Sequence, residues 1–390
     1  MARTTNEPTL TRKTLSMLGA LACVAGMTMA VGCKSTGSDD ASASGTEGEY
    51  RALVAPDGRE LGPYERLGFR IEWKGLPVLS RRQTPQFFDV FDDRVVFQDS
   101  GNTMTVMDAS TGRNIWASEI DNPTARFIGN ARVGDTLYSA SDNELFELDI
   151  KTGNIGQRHR LAVVSNTGPV IMGNIAVFGG AAGQVLGHNL LSTYKQWGYQ
   201  LNGVITSKPV EVSGTVATVS QRGEVAFLDP ATGSSTAIGE IYSGLVNNPV
   251  AGDGLLFIAS TDQSIYAFSP TRGDPVWRVR TPQPIVDQPM FIEGKVYVNI
   301  PGEGMTQLAS GSGAKLWQNR GVSGRVIGKA NGRIVAWDGS RAYLLDEDRG
   351  DTIDSVALGN VHDLVMSAPV DGDLYVVMRD GWVEKHSPRR

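Results

Sequence analysis

The sequence predicts an all-β fold: an eight-bladed β-propeller of four-stranded antiparallel blades, closed into a ring by an N-terminal strand. Three observations carry that reading. A turn position recurs at Gly112, Gly153, Thr193, Gly233, Gly273, Gly313 and Gly350, in steps of 41, 40, 40, 40, 40 and 37 residues. Pro169, Pro209, Pro249, Pro289 and Pro369 keep the same beat, and Trp116, Trp197, Trp277 and Trp317 each follow the turn by four residues. Between these markers lie short β-branched and aromatic runs without helical periodicity. A fixed period filled with several short strands is the signature of a radial repeat.

Residues 1–32 come before the fold and read as a lipoprotein signal peptide. Arg3, Arg12 and Lys13 precede an apolar stretch from Leu15 to Gly32. A positive start, an apolar middle and small residues at the end make a secretory signal. The stretch is too short and too rich in glycine and alanine to read as a membrane span. Ala30-Val31-Gly32-Cys33 resembles a bacterial lipobox, which would make Cys33 the lipid attachment site, although Ala30 stands where leucine is usual. The segment around Arg12 and Lys13 also resembles a twin-arginine signal with one arginine replaced, so the export route stays open. Residues 33–66 form the tether and N-terminal extension. The tether opens with KSTGSDDASASGTEGE, which has no apolar residue larger than alanine and so has nothing to bury. Cys23 and Cys33 are the chain's two cysteines. The exported domain is therefore expected to have no disulfide, thiolate zinc site or cysteine nucleophile.

Residues 67–390 carry the propeller. TVATVSQ (215–221), LLFIAST (255–261), KVYVNIP (295–301) and DLYVVMR (373–379) are copies of one strand, apolar throughout and hence buried on both faces. A second strand follows in eight copies, at 104–108, 145–149, 185–189, 225–229, 265–269, 305–309, 342–346 and 383–387. The last copy has no tryptophan strand after it. Trp73, in GFRIEWKG (68–75), lies 43 residues before Trp116 and is expected to supply the missing outer strand. Two Arg-Gly-Asp triplets, at 272–274 and 349–351, fall on the turn position. They are expected to be polar turn tips whose glycines adopt positive φ, not adhesion signals.

Hydrophobic residues make up 41% and charged residues 20% of the chain, which excludes a disordered protein. The net charge of −6 gives no basic face for nucleic acid. No His-x-x-x-His pair occurs among His159, His188, His362 and His386, each of which is expected to be structural or solvated. The glycine-rich stretches at 179–183 and 302–306 open no helix, so neither is a phosphate cradle. No catalytic residue, cofactor site or metal site is expected.

The Asp, Thr-Gly and Trp pattern resembles the PQQ-type propeller repeat. Quinoprotein dehydrogenases of that type carry an adjacent cysteine pair and long insertions, which this chain lacks. With its lipobox, tether and eight blades, the chain resembles the BamB family, lipoprotein subunits of the outer-membrane β-barrel assembly complex. That resemblance implies a non-enzymatic scaffold, lipid-anchored at the outer membrane, facing the periplasm and binding a barrel-assembly protein. Lys34, after the lipidated cysteine, agrees with outer-membrane sorting. A glycan-binding or sensor propeller is the alternative, and a degenerate quinone-dependent dehydrogenase the third reading. Partner contact is expected on the loop after the fourth blade, in IGEIYSGLVNNPV (238–250), through Tyr242, Leu245 and Val246.

Overall fold

The computed structural model describes residues 59–389. The signal segment, Cys33 and most of the tether lie outside the described residues. Eight four-stranded antiparallel sheets follow one another. Blades one to seven run without interruption at 85–119, 127–160, 170–200, 210–240, 250–280, 290–319 and 325–357. Blade eight takes three strands from 361–388, and its fourth and outermost strand is Phe69–Gly75. That strand runs antiparallel to Val383–Pro388, with Phe69 opposite Pro388 and Gly75 opposite Val383. The ring therefore closes as the sequence predicts, and no blade is left with an unpaired fourth place.

The core lies between the blades and not at a single centre. The second strands, such as Arg94–Asp99 and Leu255–Ser260, are buried along nearly their whole length. They pack against neighbours on both faces, which is why they carry no polar alternation. Each apolar cluster joins one blade to the next. In one, Val225 and Phe227 of blade four meet Leu256, Ile258 and Phe268 of blade five.

The repeated turn has a chemical explanation. The Asp108 carboxylate accepts the backbone N–H of Ser110 and Thr111 and both hydroxyls. Asp149 and Asp229 bind the following Lys151, Thr152, Ala231 and Thr232 in the same way. These bonds hold all three carboxyls below the usual aspartate range, through Ser110, Thr152 and Thr232 first. The glycine that follows is left-handed at Gly112, Gly153, Gly233, Gly313 and Gly350. It also lies flat against the tryptophan of the preceding blade, where a Cβ would collide with the ring. The indole N–H donates to a carbonyl of that same turn: Trp73 to Ala109 at 3.0 Å, Trp116 to Ile150 and Trp197 to Pro230 at 2.8 Å, Trp277 to Ser310 at 2.7 Å and Trp317 to Glu347 at 2.8 Å. Glycine and tryptophan are thus two halves of one clasp between blades.

This corrects one expectation. Gly350 of the second Arg-Gly-Asp triplet has φ 75°, but Gly273 of the first is not left-handed. Blade four has Ala237 where blades one, three, five and six have tryptophan, and the turn settles directly on the Ile238 carbonyl. Glycine is needed there for close approach alone.

The last residues of the expected tether are ordered against the ring. Pro63–Arg66 forms one helical turn, with the Glu65 carboxylate accepting the Gly62 N–H at 2.9 Å. Arg66 binds Asp354 of blade seven through two donors. The Tyr64 ring lies 4.3 Å from that of His386. Beside them, Lys74 pairs with the largely buried Glu384 at 3.2 Å.

Candidate interaction surface

In a blade of four alternating strands, the loops joining blades and the middle hairpin turns emerge on the same face. The loop from blade four to blade five spans 241–249, between Ser235–Glu240 and Val250–Gly252. It leans on the middle turn of blade five: Thr261 N–H donates to Gly244 O at 3.2 Å, and Tyr242 N–H to Asp262 Oδ2 at 3.1 Å. From blade four, Gln221 donates to the Leu245 carbonyl at 2.5 Å. The loop is therefore held in place by side chains of both blades.

The three residues expected there separate. Tyr242 is 79% exposed and Val246 64% exposed, whereas Leu245 is 1% exposed. Leu245 packs with Val219, Val225 and Ile241 inside the cluster between blades four and five. It does not belong to the surface. The period contained the signal for this: Ile205, Leu245 and Ile285 recur at steps of 40, and all three are buried. A residue that repeats with the core serves the core.

Tyr242 is more than an exposed ring. The Arg278 guanidinium sits 4.8 Å from its centroid and 5.0 Å from that of Tyr266. Ser264 Oγ accepts from Arg278 Nε at 3.0 Å and from a terminal nitrogen at 2.9 Å, fixing the guanidinium between the two rings. The Tyr266 hydroxyl donates to Asp262 at 2.5 Å; burial first, and that carboxylate second, push its pKa up to about 12. Tyr242 is thereby presented on a pre-ordered stack, which lowers the entropy lost on binding. Val204 and Val286, on the neighbouring inter-blade loops, extend the apolar surface to either side. The supporting Arg278 and Asp262 were not legible as site residues, because their role comes from pairing across strands.

Two of the four histidines come together despite their sequence separation. His159 Nδ1 lies 3.0 Å from His188 Nε2, and His159 Nε2 lies 3.0 Å from Glu147 Oε1. Both rings are buried, and His188 Nδ1 has no partner. Burial first, and the neighbouring ring second, lower the His188 pKa to about 4. The two rings form one buried pair between blades two and three. His386 is buried beside Glu384, and His362 is exposed. At the inner edge of blade one, burial raises the Asp89 pKa, and its carboxylate accepts from Asn130 at 3.0 Å. Among the described residues no group of three or more histidine or acidic side chains is arranged to hold a metal ion.

The model of the outer membrane protein assembly factor BamB family matches residues 46–246 and 221–374. Curated relatives with that name include one from Francisella tularensis subsp. tularensis, 22% identical over 209 residues. The match covers 48% of this chain and 45% of the relative. Another, from Bordetella pertussis, is 23% identical over 198 residues, covering 47% and 51%. The chain thus spans about half the length of the curated relatives it matches. Among solved structures, BamB from Moraxella catarrhalis superposes with a TM-score of 0.65 at 18% identity, covering 82% of this chain and 97% of that one. A computationally designed protein, Ika8, also gives 0.65 at 14% identity, covering 80% and 98%. At these identities the structural likeness concerns the fold alone.

Proposed function

The chain belongs to the outer membrane protein assembly factor BamB family, and from that premise we propose that it is a non-enzymatic scaffold for outer-membrane β-barrel assembly. The observation that carries the proposal is the family match, which spans most of the ring. Cys33, as the lipid attachment site, anchors the chain at the outer membrane, with the propeller facing the periplasm. Its partner is a barrel-assembly protein of the envelope. The contact surface is the loop face around Tyr242 and Val246, with Val204 and Val286 beside them. Large aromatic and apolar side chains held rigid at the surface suit protein recognition. Leu245 supports this loop from beneath.

The test is a photo-crosslinking residue at Val246 of the membrane-anchored chain, in cells that contain the barrel-assembly machinery. The expected result is an adduct with a barrel-assembly protein. Val246→Asp is expected to reduce co-purification by about tenfold while leaving the melting temperature unchanged. A folded chain at the outer membrane that captures no barrel-assembly protein would overturn the reading.

A further inference from the structure

Of the seven junctions at which an outer strand meets the next blade's glycine turn, five carry the indole clasp. Blades four and five replace it: the Thr236 hydroxyl donates to the Pro270 carbonyl at 3.0 Å, the place an indole N–H takes elsewhere. Between blades two and three neither device exists. Gln157 stands in place of tryptophan and is exposed, and Gly156 stands where blade four has Thr236. The turn residue is Thr193, left-handed at φ 64°, whose Cβ bars the close approach that glycine permits. The Leu190 carbonyl, equivalent to the five indole acceptors, has neither an indole nor a hydroxyl opposite it.

The result is a groove of about 560 Å³ on the rim, lined by Arg158 to Ala162, Thr193 and Tyr194. Its lip is apolar and unusually bare: Leu191 is 76% and Tyr194 74% exposed. Arg158 is bound to Glu144 and Asp121. Arg160 and Lys195 have no acidic partner among the described residues. The rim here offers positive charge although the whole chain is net negative.

We propose that this groove is a docking site for a tryptophan on an acidic, extended segment of a protein partner. The incoming indole takes the place of the missing one, its N–H donating to the Leu190 carbonyl and its face lying against the turn at Thr193 and Tyr194. Arg160, in the groove lining, meets a flanking carboxylate. The occupant's chemistry is read from the molecule, which builds the same indole–carbonyl contact five times within its own ring. The site lies on the rim, apart from the loop face around Tyr242, so it can fail or stand independently of the function proposed above.

The probe is an acetylated, amidated pentapeptide carrying 5-fluorotryptophan between paired aspartates, followed by fluorine NMR line broadening on the exported chain. Binding with a Kd of about 1 mM or tighter is expected, in keeping with a single anchoring side chain. Gln157→Trp combined with Thr193→Gly rebuilds the repeat's own clasp and fills the groove; it should abolish binding and raise the melting temperature. Arg160→Glu, a surface change, should weaken binding about tenfold whether or not the double variant folds. Absence of binding to the wild type overturns the proposal. So does equal binding to the filled variant or to the Arg160→Glu variant, or equal binding by a peptide with leucine in place of tryptophan.

Discussion

The junction between blades six and seven and that between blades two and three occupy the same place in the repeat and solve it differently. At the first, Trp317 lies under left-handed Gly350 and donates to the Glu347 carbonyl. At the second, Gln157 and Thr193 leave that space open, and the blades are joined further in by the His159–His188 pair. Blade seven shows a third solution. Its Asp354, four residues after Gly350, meets no following turn, because the outer strand of blade eight is Phe69–Gly75 and no hairpin turn joins it to Val383–Pro388. The Arg66 side chain of the N-terminal helical turn comes in to pair with it. The identity of the turn residue is thus decided by the neighbouring blade, not by the turn itself.

The largest effect is expected where the clasp and the ring closure coincide. Removing 69–75 takes away the outer strand of blade eight, the Trp73 indole and the support of Tyr375, whose ring lies 6.0 Å from it. Burial of one large aromatic is worth about 3–5 kcal/mol, a large part of a typical domain's total stability. The truncated chain should aggregate or melt far below the wild type in a thermal scan. An unchanged melting temperature would break the equivalence of the closing strand with the other outer strands.

Much of this was legible in the sequence. The blade number, the second strands and the role of Trp73 follow from a period that one sequence displays. What stayed hidden depends on contacts between periods. That Gly112 needs to be glycine because of Trp73, 39 residues earlier, shows only once blades are stacked. The His159–His188 contact was hidden for the same reason, yet half of it was visible. His188 occupies the position just before the turn residue Asn189, where six blades have Met107, Leu148, Leu228, Phe268, Leu308 and Leu345 and blade eight has His386. A histidine in an apolar register is a question that the repeat itself raises.

The next prediction sharpens the contrast between turns. Gly350→Ala must place a Cβ into the Trp317 ring and hold it at positive φ, and is expected to cost about 3 kcal/mol or more. Thr193→Ala keeps a Cβ where one already fits and has no indole beneath it, so a change within about 0.5 kcal/mol is expected. Denaturant melts of the two variants measure the difference. Equal costs would mean that the indole is not what selects glycine.

The smallest effect concerns the histidine junction and its dependence on pH. His188 is neutral in the fold: burial first, and the neighbouring His159 second, lower its pKa to about 4, and its Nδ1 has no hydrogen-bond partner. In the unfolded chain it would titrate near the ordinary value of about 6.5. The unfolded state therefore takes up the proton first as pH falls, and stability drops from about pH 6.5 down towards pH 4. By linkage the loss between pH 7 and pH 5 is roughly 2 kcal/mol. Glu147 accepts from His159 and fixes its tautomer, so that Nδ1 of His159 is left to accept from His188 Nε2–H. Tyr138 is the other titratable group near that carboxylate. His188→Leu restores the apolar register of six other blades and should flatten the stability profile over this range, as read by denaturant melts at each pH. A variant that keeps the full wild-type slope would place the titrating group elsewhere, and the polar junction would then differ from the indole clasps in packing alone.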